Sequence, residues 1–150
     1  MSDDKYRTNS FQYQPIDQVV NIANKQRIID IMQAMVTAPL AELEDAIKES
    51  YHVDACVNVT HPINELSDLD EVSSKLWKSL RYAIPDVERR NDIVAGGRYR
   101  NTNWIGCTGH YIGTFENDWL DIPATHGVVA VRYAEGHELV EGKIAKSYMF

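Results

Sequence analysis

Cysteine is nearly absent from this chain: Cys56 and Cys107 stand far apart and form no C-x-x-C. That removes a disulfide scaffold, and with no export signal at the start the two are expected as reduced thiols in a cytoplasmic protein. Positive charge is also scarce. Fifteen Lys and Arg face 22 Asp and Glu, a net charge of −7. The basic pair Arg89-Arg90 is too small for a phosphate footprint, so no nucleic-acid partner is expected. No apolar run approaches the ~20 residues of a membrane span. The opening MSDDKYRTNS carries acids where a signal peptide needs a basic start and an apolar core. Enzyme signatures are missing as well. There is no H-E-x-x-H, EF-hand spacing or G-x-S-x-G, and AGGRYR lacks the Lys-Ser/Thr of a phosphate loop. Neither a metal nor a cofactor is expected.

What is present reads as one α+β domain over 15–150, preceded by a polar tail over 1–14 that shows no period. Ile16, Val19, Val20, Ala23, Ile28, Ile31, Met32 and Met35 recur at three- and four-residue steps, which predicts a helix from Pro15 to Ala38. Pro39 ends it and opens a second helix, with Leu40, Leu43, Ile47 and Tyr51 on one face. VDACVNV alternates as a strand, and THPINEL reads as a loop. Ser67 is the expected cap of a third helix, with Leu69, Val72, Leu76, Leu80 and Ala83 inward until Pro85.

After Pro85 the pattern is extended. VERRNDIVAGGRYR is predicted as a strand with Gly96-Gly97 as its turn. NWIGCTGHYIGTF and VVAVRYAEGHEL are long strands around a loop, ENDWLDIPATHG, and VEGK turns into a final strand. Helices followed by an antiparallel meander imply helices covering one face of a curved sheet. Gly109, Tyr111 and Gly113 fall on one face of their strand. Two glycines there serve a sharp bend, the close approach of another chain segment, or a hollow into which Tyr111 projects.

The stretches AIPDVERRNDIVAGG, GCTGHYIGTF, WLDIPAT and EGHELVEGKI, in that order, resemble the SnoaL-like polyketide cyclase family, also called predicted ester cyclases, within the nuclear-transport-factor-2-like superfamily. The likeness runs from about Leu43 to the end. It implies a cone-like α+β barrel: a bent antiparallel sheet around a pocket, closed by three N-terminal helices. Family members usually continue past this point into a further helix, so a C-terminally shortened domain and self-association as a homodimer or higher homo-oligomer are expected.

The resemblance also implies where chemistry would sit. The general acid/base Asp of the characterised cyclases, seven residues after the turn glycine, falls on Met149, which has no proton to exchange. The family's histidine seven residues before that glycine falls on Glu135, and the histidine of its G-x-H-x-G falls on Tyr111. Glu135 is then either a general base with a pKa raised towards neutrality or a solvated edge carboxylate. His137 shares its face and is the partner expected for it, unless a bulge at Gly136 separates them. Tyr111 is either an oxyanion donor or a packing aromatic. His61, Trp77, Trp104 and Met149 are the expected substrate-binding wall, and Trp119 is expected to pack its loop against the barrel. Two functions remain open: cofactor-free cyclase-, isomerase- or dehydratase-type chemistry on a small apolar carbonyl compound, or a non-catalytic small-molecule-binding or assembly domain.

Overall fold

The computed structural model describes residues 16–150; the tail predicted over 1–14 lies outside them. Helix α1 (Gln18–Thr37) starts where the Asp17 carboxylate accepts from the amides of Val19 and Val20, at 2.9 and 3.2 Å. It stops at Ala38, which precedes Pro39 and takes the extended conformation that proline imposes on its neighbour. The predicted apolar stripe is buried only from Ile28 onward, through Ile31, Met32, Met35 and Val36. Val19 and Val20 are exposed. At that end the helix meets the sheet through Asn21, whose side chain occupies the space a Cβ would need at Gly96.

Helix α2 (Leu43–Ser50) buries Leu43 and Ile47, while Leu40 lies in the preceding turn and is exposed. Helix α3 spans 69–83. It runs as α over Leu69–Glu71, as π over Val72–Lys78 and as α again over Ser79–Ala83. Its cap is Asp68 rather than the predicted Ser67. The Asp68 carboxylate accepts from the Glu71 amide at 2.8 Å, and the Glu71 carboxylate reaches back to the amide and hydroxyl of Ser67 at 2.9 and 2.8 Å. The π segment widens the inward face, so that Ser73 and Trp77 are buried beside Val72 and Leu76.

Six strands form one sheet: β1 (Tyr51–Val59), β2 (Glu65–Leu66), β3 (Glu88–Tyr99), β4 (Thr102–Thr114), β5 (Val128–Val140) and β6 (Lys143–Met149), in the order β2-β1-β6-β5-β4-β3. All neighbours are antiparallel except β1 and β6, which run parallel, so the predicted antiparallel meander is β3 to β6 and the whole sheet is mixed. Parallel neighbours need a long crossover, and everything between β1 and β6 supplies it. Pairing slips between Asn91 and Ile93 and between Glu138 and Leu139, the local irregularities that curve long strands. The helices cover the concave face.

The predicted Gly96-Gly97 turn is corrected. Both glycines pair in register with β4, and the chain reverses at Arg100-Asn101, with φ of 49° and 66°. A two-residue hairpin turn of this hand needs two left-handed residues, and Asn accepts that conformation at low cost.

Candidate functional site

Period-two alternation carries one polar cluster to the concave face. On β3, Arg89 pairs with Tyr111 of β4; on β5, Glu135 pairs with Cys107 on one side and Met149 of β6 on the other. Glu135 Oε1 accepts from Arg89 Nη1 at 2.9 Å and from the Tyr111 hydroxyl at 2.8 Å. Oε2 accepts from Arg89 Nη2 at 2.7 Å and meets His137 Nε2 at 3.3 Å. A carboxylate offers about four lone-pair positions, so this one is saturated. Arg89 Nη1 also donates to the Tyr111 hydroxyl at 2.5 Å, and the guanidinium lies over the Tyr133 ring, 4.0 Å from its centroid. His137 Nδ1 meets Ser147 Oγ at 2.5 Å. Tyr133 donates its own proton to Asn91 Oδ1 at 2.6 Å.

The cluster is dry: the side chains of Arg89 and Glu135 are 1% and 0% exposed. Burial alone would push the Glu135 carboxyl up, but the hydrogen bonds from His137 and Arg89, with the guanidinium charge behind them, hold it down at about 2. Burial works against the charge on Arg89 too, and is outweighed by the hydrogen bond to Glu135. Burial, and then the Glu135 charge, pushes the Tyr111 phenol well above its ordinary range. The Glu135 side chain is therefore buried rather than at a solvated edge, and its carboxylate is paired with the Arg89 guanidinium.

Beside this cluster lies a cavity of about 220 Å³ between the sheet and α3. Tyr111, Tyr133 and Glu135 form its polar end, and its walls are mostly apolar. Of the sequence-predicted residues, His61, Trp77, Tyr111, Glu135 and Met149 all reach it. His137 shares the face of Glu135 as expected, since Gly136 pairs in register on both sides with no bulge. It lies behind Glu135, fully buried, and is not part of the wall.

Trp104 does not join them. It alternates with the inward Ile105, so it sits on the outer face of β4, stacked on Tyr148 with centroids 6.1 Å apart and its indole N–H bonded to Thr102 Oγ1 at 2.9 Å. Trp119 packs its loop as expected: it lines the cavity mouth and donates to Ser79 Oγ at 2.7 Å.

Gly109 and Gly113, two of the three glycines of β4, serve close approach. A Cβ at Gly109 would collide with the Arg90 carbonyl oxygen and the Tyr133 hydroxyl, and one at Gly113 with Ile84 and the Asp86 carboxylate. The cavity lies alongside and is not opened by their missing side chains.

Sequence reasoning missed Arg89 and Ser147. The signal for Arg89 was the alternation Val87, Arg89, Asn91: an arginine on the face of a buried valine must meet a carboxylate. Ser147, His137 and Glu135 line up in the order of a hydrolytic triad, but Ser147 and His137 are fully buried and outside the cavity wall. Among the described residues, no three His, Cys, Asp or Glu side chains converge as metal ligands, and no helix is long and apolar enough to cross a membrane. Cys56 and Cys107 are both free.

No protein-family model matches the sequence, and no curated protein is similar to it. Solved structures are similar in fold. A protein of Jannaschia sp. CCS1 described as a SnoaL-like polyketide cyclase is 12% identical, with a TM-score of 0.72 over 91% of this chain and 90% of its own. IdmH of Streptomyces antibioticus, described as a polyketide cyclase, is 12% identical, with a TM-score of 0.67 over 85% of this chain and 90% of its own. An NTF2-like protein of Burkholderia thailandensis is 15% identical, with a TM-score of 0.61 over 85% and 88%. Helices over a curved sheet, with a cavity between them, give this chain the fold shared by SnoaL-like polyketide cyclases and NTF2-like proteins.

Proposed function

We propose that this chain binds a small, largely apolar compound in the cavity between its sheet and α3, and that Glu135 takes no part as acid or base. The saturated carboxylate carries this reading. With four hydrogen bonds and a pKa near 2, Glu135 has neither a free lone pair nor the basicity to take a proton from a carbon acid. Met149, opposite it, supplies apolar wall at the position where the cyclase resemblance expects an Asp. The test is a thermal-shift screen with one- and two-ring compounds. A binder raises the melting temperature with the logarithm of its concentration, and Met149→Trp, which fills the cavity, abolishes the rise. A melting temperature indifferent to the whole screen sinks the reading.

A second reading keeps cofactor-free proton transfer on a small carbonyl compound, cyclase-, isomerase- or lyase-type, with Glu135 as base, His137 as its partner and Tyr111 as oxyanion donor. Its support is that Glu135 and Tyr111 both reach the cavity. Turnover of an activated carbonyl substrate that survives Glu135→Gln unchanged removes it.

The reading carries a cytoplasmic location and a homodimer. The outer sheet face, where Trp104 stacks on Tyr148 beside the exposed Tyr99, is the surface a second copy would cover. Light scattering on a sizing column reports the dimer, and a monomer at high concentration removes it.

A further inference from the structure

Strand β5 is longer than the strand beside it. It pairs with β4 without a break from Val128 to Leu139, but β6 accompanies it only to Glu135, with one more pair of backbone bonds between Ala134 and Phe150, both 2.8 Å. Val128 to Tyr133 therefore have a neighbouring strand on one side only. A strand residue sends its N–H and C=O to the same side, and the side alternates along the chain. Ala134 uses both on Phe150, so Arg132, Ala130 and Val128 direct theirs into the gap beyond the end of β6. Among the described residues, these backbone groups have no hydrogen-bond partner on that side.

This edge lacks what keeps an edge single. Val128-Val129-Ala130-Val131-Arg132 holds three valines and no proline, and its register with β4 does not slip. The outermost strand β3 is different: its pairing slips between Asn91 and Ile93, and Glu88, Arg90 and Asp92 are exposed charges along it. Charge also marks the gap. On the outer face three basic residues stand in one row, Arg90 opposite His110 and His110 opposite Arg132. Arg90 meets Glu88 at 2.9 Å and His110 meets Asp92 at 3.2 Å, whereas Arg132, at the open end of the row, has no acidic partner among the described residues. Opposite charges directly across a strand pair attract, so the vacant position beside Arg132 favours an acid. On the inner face Val129 and Val131 pack against the core, and Val131 and Arg132 also belong to the cavity wall.

We infer that the open edge of β5 docks an extended peptide segment of a partner protein. The segment adds as a strand antiparallel to Val128–Arg132 and in line with β6, with an acidic residue opposite Arg132 and apolar residues opposite Val131 and Val129. Donor and acceptor pairs repeating at every second residue, about 6.8 Å apart, match an extended backbone and not a small molecule. The inference goes beyond the cavity reading, and either can fail without the other.

The probe is the peptide acetyl-Glu-Val-Thr-Val-Thr-amide, whose Glu falls opposite Arg132 and whose valines fall on the inner face. Amide exchange followed by NMR reads the edge directly. In the free protein the Ala130 and Arg132 amides are expected to exchange fast, while those of Val129 and Val131, which face β4, are protected. Saturating peptide slows Ala130 and Arg132 by about tenfold or more. In calorimetry, methylating the nitrogen of the first Thr, which faces β5, weakens binding by about tenfold, whereas methylating the second Val, whose N–H points away, changes it by less than about twofold. Exchanging the peptide's Glu for Lys weakens binding by about threefold, and Arg132→Glu, at an exposed position, reverses that preference. Ala130 and Arg132 amides already protected in the free protein show an edge covered by another segment of this chain or by a second copy, and overturn the inference. Peptide that protects neither amide, equal losses from the two methylations, or a preference for Glu that survives Arg132→Glu also overturn it. None of these outcomes bears on the small-molecule screen that tests the cavity reading.

Discussion

Arg89 and Glu135, one on β3 and one on β5, meet across the intervening strand in a two-pronged ion pair of 2.9 and 2.7 Å that water does not reach. Taking either partner away leaves a full charge in the interior. Arg89→Met is expected to cost about 3–5 kcal/mol by urea unfolding. The double variant Arg89→Met/Glu135→Leu recovers more than half of that loss, because it removes both charges together. Additive losses in the two single variants and the double variant would show that the pair is not coupled.

The pair also sets an acid limb of stability. The Glu135 carboxyl is held at about 2 in the fold against an ordinary 4.5. A depressed folded pKa stabilises above the unfolded value and loses that contribution as pH falls through the folded one. The share is on the order of 3 kcal/mol, present at neutral pH and withdrawn between about pH 5 and pH 2. Urea titrations across that window should show wild-type stability falling towards that of Glu135→Gln, with the difference nearly closed at pH 2. Parallel pH profiles for the two proteins count against the assignment.

Two glycines on neighbouring strands should respond in opposite ways to one methyl group. At Gly109 it meets the Arg90 carbonyl and the Tyr133 ring, whereas at Gly136 nothing lies within 4 Å. Gly109→Ala is expected to destabilise by about 1–3 kcal/mol, as overpacking does. Gly136→Ala is expected to be neutral or to stabilise by up to about 1 kcal/mol, through the reduced freedom of the unfolded chain. Both are read by thermal or urea unfolding, and equal losses at the two sites would contradict this packing.

Placing a carboxylate at the end of β6 should damage the protein rather than equip it. Met149 is buried and stands directly across from Glu135, so Met149→Asp sets two carboxylates side by side in a dry site. The new group's pKa is raised by burial and by its neighbour, and a raised carboxyl pKa loses stability as pH climbs through it. The variant should be less stable than wild type by on the order of 2 kcal/mol at pH 7, with the gap narrowing towards pH 5. A gap that is constant with pH points to lost packing alone.

The elements were largely legible because their signals are local. The Pro39 and Pro85 breaks, the inward alternation of Tyr111 with Gly109 and Gly113, and the shared face of Glu135 and His137 follow from neighbours within a few residues. Two of the misreadings come from distant partners. Gly96-Gly97 carries the local chemistry of a turn, but the demand for glycine at Gly96 comes from Asn21 on α1. Asn101, with its tolerance for left-handed backbone, was the better turn signal. Arg89 was hidden because its counterion lies 46 residues away and its neighbour Arg90, which points outward, made the two look like one exposed basic pair. Trp104 was placed in the wall by residue type, when its position next to Ile105 already put it on the other face.

The broad turn in the middle of α3 makes that helix sensitive to length as well as to composition. Each residue in a regular helix advances the direction of the next by about 100°. Deleting one residue between Val72 and Lys78 would ease the segment back to ordinary winding and rotate all that follows. Leu80 would swing off the cavity and Ser79 would turn away from the Trp119 indole it now receives. Homologues that share this seal should therefore carry the same number of residues between the Asp68 cap and Ser79, whatever those residues are.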